Sequence, residues 1–428
     1  MLRTPKRSAI TASGKARWYG YYPGFSVHFV QDVITSWYGS TDLLICDPWN
    51  GSGTTTEVAN ELGCSAIGYD LNPAMVVIAK ARLLGSHTKP SHAVLCRHIL
   101  NKAASYPPEL MAEESLTRWF APASAEYIRN IERATQNLFV NDGEYSALAT
   151  QQLGNVSSLA CFFYVALFQV VRSLLTRFRA TNPTWLKTPK EPSARLRPTP
   201  ETINKLFSKQ IASMVGRLEG STFKEAAARQ TSRILVTTAD SRALPLSDES
   251  VDAVISSPPY CTRIDYAIAT ASELAIIGYT SHSIREIRHR LLGTSTIYDA
   301  VPVARPEWGK TCNTFLEAVR SHRSHASESY YWKNHVQYFD GLFASLKEIR
   351  RILKPLQKCV LVVQDSYYKE IHTDLPLYVV EMGDNIGFSL TTRYDYPVFH
   401  TFAGMHTHRT KYRSHAGATE AVLVLSKQ

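Results

Sequence analysis

Two strings far apart in the chain carry residue types suited to chemistry: Ser257-Pro258-Pro259-Tyr260, and upstream Asp47-Pro48-Trp49-Asn50-Gly51-Ser52-Gly53-Thr54-Thr55. In the first, the Ser257 hydroxyl and the Pro258 carbonyl are acceptors on a turn that two prolines stiffen and strip of competing N–H groups. Tyr260 adds an aromatic face. A planar base carrying an exocyclic amino group would use all three, one amino hydrogen to each acceptor and ring against ring. The second string follows an apolar strand and is a glycine loop, through which backbone can approach a nucleotide-like ligand.

The chemistry so framed is demanding. An exocyclic amine is a poor nucleophile because its lone pair is delocalised into the ring, so a site must favour the localised, pyramidal form and align it with an electrophile. That is work for positioning and oriented dipoles. Asp47, Asp70 and Asp240 lie at or just after predicted strand ends, where an open α/β sheet binds its ligand. At the end of the second strand Asp70 is suited to accept both hydroxyls of a ribose. Gly51 and Gly53 leave room for the backbone, while Thr54 and Thr55 offer hydroxyls and amides to a ligand carboxylate.

The elements that position these residues follow from pattern. Residues 25–37 show apolar positions at helical spacing after a Pro23-Gly24 turn. Residues 43–46 form a short buried strand that runs into the glycine loop, a helix begins near Thr55, and residues 65–69 form a second strand ending at Asp70. Strands resume at 234–236 and 251–256, with an apolar helix over 267–277, a helix over 336–353 and further strands at 359–364 and 421–425. Asp365 and Ser366, after the fifth strand, read as caps of a following helix. The order predicts an α/β fold, a doubly wound sheet interrupted by a mostly helical insertion. The expected division is 1–85 and 234–428 for the catalytic domain and 86–233 for the insertion, with a basic loop region at about 281–333.

At 428 residues with 44% hydrophobic and 20% charged residues, the composition is that of a globular protein rather than a disordered one. A net charge of +10 favours polyanionic partners. Seven cysteines without a C-x-x-C pair indicate neither a zinc site nor a redox pair, and isolated thiols suit a reducing cytoplasm. No metal is expected, the C-terminal histidines (His400, His406, His408, His415) included. The apolar stretch 159–171 is too short to span a bilayer and reads as a buried helix, so no membrane role is expected. Two segments combine basic and aromatic residues in the manner of a phosphate-tracking surface. One holds Arg172, Arg177, Arg179, Trp185, Lys187, Lys190, Arg195 and Arg197; the other runs over 285–333 and includes Arg288 and Arg290.

Together these motifs resemble the S-adenosylmethionine-dependent DNA amino-methyltransferases. The Asp-Pro-x-x-Gly-Ser-Gly-Thr-Thr loop, Asp70 before Asn72-Pro73, Tyr22-Pro23-Gly24-Phe25, and Asp240-Ser241-Arg242 followed by 248–254 match that family over roughly residues 20–80, 234–275 and 340–428. Trp49 and Asn50 depart from it, standing where the family often has Phe and a small residue. The resemblance implies a Rossmann-like class I methyltransferase sheet and S-adenosyl-L-methionine as cofactor. Phe25 would close over its methionine end and Asp240 would accept its adenine amino group. Ser257, Pro258, Pro259 and Tyr260 would receive a flipped-out base. Double-stranded DNA is the implied partner, in a restriction–modification or phage-defence setting with a cognate endonuclease or defence protein. Ser at position 257 favours cytosine N4 over adenine N6, which remains open by the same mechanism. C5 methylation is disfavoured, because no Pro-Cys pair supplies a thiolate. Two further alternatives are a tRNA guanine-N2 methyltransferase, disfavoured by the short stretch before the first element, and a decayed specificity subunit, disfavoured by intact Gly51, Gly53, Asp70, Ser257 and Tyr260.

Overall fold

Short apolar runs build the central layer. The computed structural model describes residues 2–6, 14–20, 24–38, 42–107, 109, 113–141, 145–180, 185–218, 233–262, 264–398 and 417–428. Its strands are β1 (Leu44–Asp47), β2 (Ser65–Asp70), β3 (Ile234–Thr238), β4 (Val251–Ser256), β5 (Leu353–Gln364), β6 (Ser366–Tyr368), β7 (Ile371–Thr373), β8 (Phe388–Val398) and β9 (Ala418–Lys427). Seven of them form one sheet in the order β3-β2-β1-β4-β5-β9-β8, and β6 pairs with β7 in a separate hairpin. The pairs among β1 to β5 are parallel. Strand β9 runs antiparallel between β5 and β8.

Alternation along the strands feeds two cores. Cys46, Val254, Cys359, Leu361, Val363, Leu423 and Leu425 point to one face, while Ile45, Ala253, Ile255, Val360, Val362 and Val422 point to the other. Helices α1 (Val27–Trp37) and α2 (Thr54–Leu62) cover the second face. Helix α3 (Pro73–Arg82) is capped by Asn72, whose side chain accepts from the Ala74 amide, with Pro73 at the first turn. The segment after it forms α4 (His92–Ser105), α5 (Pro122–Phe139), α6 (Ser158–Leu174) and α7 (Pro200–Gly216). Beyond β4 come α8 (Tyr266–Ala269), α9 (Ala271–Ile276), α10 (Ser281–Arg290), α11 (Lys310–Arg320), α12 (Lys333–Ile352) and α13 (Leu375–Asp384). Helices α11 to α13 cover the first face.

The insertion is helical, as its pattern predicts, but it does not own a separate core. Residues of α4 to α7 share one cluster with Ala74–Ala81 of α3, with α9 and with Val236 of β3. The segment 158–178 is apolar and long enough by composition to cross a membrane, and 67% of its apolar window is buried in this cluster.

Three local expectations are corrected. The predicted helix over 267–277 breaks into α8 and α9 at Thr270, whose backbone leaves the helical region (φ −117, ψ 19). No helix follows Asp365 and Ser366. Ser366 opens the β6–β7 hairpin, and Asp365 accepts the Thr419 amide and pairs with His372. Strand β8 lies outside the predicted elements; it is an edge strand whose residues alternate between half-buried and exposed, so its sequence lacks an apolar run.

Candidate active site at the strand-order switch

Strand order reverses between β1 and β4, since β2 and β3 lie to one side of β1 and β5 lies beyond β4. In an open α/β sheet a crevice forms at such a switch, outside the carboxyl ends of the strands. Both sequence motifs fall there: the glycine loop leaves β1 and the Ser-Pro-Pro-Tyr turn leaves β4.

Asp47 joins the two strand ends. It is buried and accepts from the Ser256 and Thr55 hydroxyls and from the Trp49 amide. Burial pushes its carboxyl up to about 6, against the pull of those donors. The expectation that Asp47 and the Thr55 hydroxyl face a ligand is thus revised: each is spent on the other, tying β1, β4 and α2 together. Thr54 faces Arg82, which also donates to the Ser52 carbonyl and hydroxyl and pairs with Glu57. Arg82 lies at the end of α3 and is only 3% exposed. It anchors the loop from beneath, and no motif in the sequence marks it.

Asp70 ends β2 with one oxygen accepting from the Gly51 amide (2.9 Å) and the other from the Asn72 amide (2.8 Å). Each oxygen keeps a lone pair for a hydroxyl donor. Burial raises its carboxyl to about 7, against those two amides and with a contribution from the Asp47 charge. Gly51 has φ +50. Gly53, at φ +84, has no space for a side chain, since a Cβ would meet Ala79 at 2.7 Å. Asn50, a departure from the family pattern, is accommodated by Gly68 of β2: a Cβ at 68 would lie 2.5 Å from the Asn50 side chain. Its Nδ2 and the Trp49 Nε1 are buried without partners among the described residues. A strand-end carboxylate with a lone pair left on each oxygen, the left-handed glycine loop and the unspent donors fit S-adenosylmethionine.

At the end of β4, Ser257 Oγ donates to the Val362 carbonyl of β5 (2.9 Å). The Tyr260 hydroxyl donates to Glu420 of β9 (3.0 Å), and the Tyr338 hydroxyl donates to the Pro259 carbonyl (2.7 Å). No described donor reaches the Pro258 carbonyl. Burial, then the Glu420 charge, push the Tyr260 phenol well above its ordinary value. Burial, then the Asp70 charge, push the Tyr266 phenol above its ordinary value.

Other predicted site residues have different surroundings. Asp240 is held below the usual carboxylate range: burial opposes this, but Arg242 donates to both its oxygens and outweighs it. Its carboxylate is therefore shared with an arginine. Phe25 is packed in the core against Phe29 (5.9 Å between ring centres), and Tyr22 and Pro23 lie outside the described residues, as do the C-terminal histidines. Arg288 pairs inward with buried Asp265, and Arg172 pairs with buried Glu273, so neither faces outward. Arg177 donates to the Ala194 carbonyl and Arg290 is exposed beside Asp240. Trp185 is 42% exposed, and Lys187, Lys190 and Arg197 are exposed with Arg195 half-buried. Their stretch is pinned to the rest of the insertion by Trp119, which donates from Nε1 to the Lys187 carbonyl and accepts the Leu196 amide at its own carbonyl.

The strand order and the two strand-end motifs define a Rossmann-like methyltransferase fold. The chain is similar to the Type II methyltransferase M.BsoBI of Geobacillus stearothermophilus, 27% identical over 302 residues, or 64% of this chain; it spans 55% of that relative's length. It is also 21% identical over 406 residues to the Type II methyltransferase M.AvaI of Nostoc sp. and to that of Anabaena variabilis, covering 87% of this chain and 79% of each relative. No family model matches. Among solved structures, the rRNA methyltransferase aviRa from Streptomyces viridochromogenes aligns with 99% of this chain and 96% of its own at 12% identity, with a TM-score of 0.30. That likeness bears no functional weight.

Proposed function

We propose that this chain transfers a methyl group from S-adenosylmethionine to the exocyclic N4 of a cytosine that is turned out of double-stranded DNA into the Ser257–Tyr260 turn. The observation that carries the reading is the commitment of the Ser257 proton. Because Oγ donates to the Val362 carbonyl, it offers an incoming amine only acceptor lone pairs. The Pro258 carbonyl is the second acceptor.

When bound, S-adenosylmethionine would supply an electrophilic sulfonium methyl: the N–C bond would form as the C–S bond breaks, leaving S-adenosylhomocysteine, and the methylated nitrogen would give up one proton to water. The chain's own residues do the rest. Ser257 and Pro258 hold the two amino hydrogens and turn the nitrogen lone pair out of conjugation with the ring. Tyr260 stacks on the base, which extrusion from the duplex has deprived of its neighbours. Asp70 takes the ribose hydroxyls, and the loop that Arg82 anchors holds the methionine end. Exposed Lys187, Lys190, Arg197 and Arg290, with half-buried Arg195, contribute phosphate contacts. The names of the relatives support a restriction–modification setting, with a cognate endonuclease as partner.

The test is product analysis. Incubation with methyl-labelled S-adenosylmethionine and mixed-sequence duplex DNA, followed by digestion to nucleosides and mass spectrometry, should yield N4-methyldeoxycytidine. N6-methyldeoxyadenosine would move the target to adenine, and no labelled nucleoside at all would overturn the reading.

A further inference from the structure

Glu420 lies 160 residues beyond Tyr260 and outside both strand-end motifs. It sits on β9 opposite Gln364 of β5 and Tyr396 of β8, and it is 8% exposed. One carboxylate oxygen accepts the Tyr260 hydroxyl at 3.0 Å. The other is buried with no partner among the described residues. A sealed acceptor without a donor weakens a fold, and an apolar side chain of the same size would avoid that cost. What the carboxylate supplies in return is the acceptor for the Tyr260 hydroxyl.

We infer that Glu420 is a positioning residue for the base-binding turn, fixing the Tyr260 ring through its phenol so that Tyr260 and Ser257 meet the target base as one unit. The inference rests on the amino-methyltransferase reading and adds to it a residue that touches neither base nor cofactor. Three features support it. Ser257 is held by the Val362 carbonyl of β5 while Tyr260 is held by β9, and β5 and β9 pair continuously from Lys358 to Gln364. The entry to β9 is locked, because Asp365 donates its amide to the Thr419 carbonyl (3.0 Å) and accepts the Thr419 amide (2.7 Å). Finally, burial together with the Glu420 charge keeps the Tyr260 phenol protonated and so a donor to the carboxylate, while burial also pushes the Glu420 carboxyl up against that bond.

A double-mutant cycle with Tyr260→Phe tests it, since Phe keeps the stacking face and loses only the hydroxyl. Glu420→Ala should lower kcat about 10- to 100-fold, the range expected when a buried donor loses its only acceptor, with S-adenosylhomocysteine affinity unchanged. Tyr260→Phe should do the same, and the double variant should be no worse than the worse single. Glu420→Gln, which retains an acceptor, should recover most of the loss. If the alanine variant does not fold, Glu420→Leu removes the acceptor while filling the space. A second readout needs no nucleic acid: the fluorine resonance of a fluorotyrosine placed at 260 should move in Glu420→Ala or Glu420→Leu and return most of the way in Glu420→Gln. Multiplicative single and double effects on kcat, or a resonance indifferent to Glu420, would overturn the inference. The fluorine measurement separates that failure from a failure of the methyltransferase reading, which product analysis decides.

Discussion

Gly53 offers a test of how the cofactor loop is built. Its backbone is left-handed (φ +84, ψ 31), and a Cβ there would lie 2.7 Å from the Ala79 Cβ, 2.9 Å from the Ala79 Cα and 3.3 Å from the Thr56 hydroxyl. For Gly53→Ala, the left-handed conformation costs about 1–2 kcal/mol. The collision with a helix backbone cannot be relieved by a rotamer change and adds about 1–3 kcal/mol of overpacking. The sum is about 2–5 kcal/mol, read as a lowered denaturant midpoint. Displacing α3 would also shift Arg82, which holds Ser52 and Thr54, so S-adenosylhomocysteine affinity measured by calorimetry should fall about 10-fold or more, equivalent to at least about 1.4 kcal/mol. Ala79→Gly removes the shorter of the clashes, the one with the Ala79 Cβ. The double variant should regain part of the overpacking share, less about 1 kcal/mol for glycine inside a helix. A loss below about 1 kcal/mol in Gly53→Ala, or strictly additive effects of Gly53→Ala and Ala79→Gly, would refute the packing argument.

Further outcomes follow from the same geometry. Asp70 is held near 7 by burial, and hydroxyl donors favour its ionised form, so ligand binding should release protons and affinity should climb as pH rises through about 7, then level off. Asp70→Asn should bind more weakly and lose that dependence; calorimetry showing a flat pH profile in the parent protein would sink the role of Asp70. Ser257→Ala should cut methyl transfer by about 100-fold or more, as removal of an oriented dipole does, while leaving cofactor affinity intact; a wild-type rate would remove Ser257 from the mechanism. Arg82→Met leaves buried Glu57 with only the more distant Lys15 (3.5 Å) as a cation and should destabilise the fold by about 3 kcal/mol, the lower end for a broken buried pair, a value that thermal or chemical denaturation can contradict directly. Replacing Lys187, Lys190, Arg195 and Arg197 together by Ala should weaken DNA binding and reduce the salt slope by about 0.9 for each phosphate that is no longer neutralised. An unchanged slope would turn attention to the face around Arg285 and Arg290.

Local chemistry was legible from the sequence alone. The glycine loop after an apolar run, the acid at the next strand end and the Ser-Pro-Pro-Tyr turn are each consecutive residues. Their conformations follow from backbone and side-chain type, whatever lies elsewhere in the chain. The strand alternation that assigns Ile45, Val360 and Val362 to one face and Cys46 and Leu361 to the other is equally local. The partners of these residues are a different matter. Arg82 under the loop, Val362 and Glu420 behind the Ser-Pro-Pro-Tyr turn, and Ala79 against Gly53 come from elements that only the strand order brings alongside. Arg288 and Arg172 read as surface cations until the fold sets buried Asp265 and Glu273 beside them. The insertion shows its helical period in sequence, but not that its apolar faces merge with α3 into one core. Burial is a property of the assembled chain: the same Asp is a solvated acid in a peptide and, with Thr55 and Ser256 folded over it, becomes the tie between two strands.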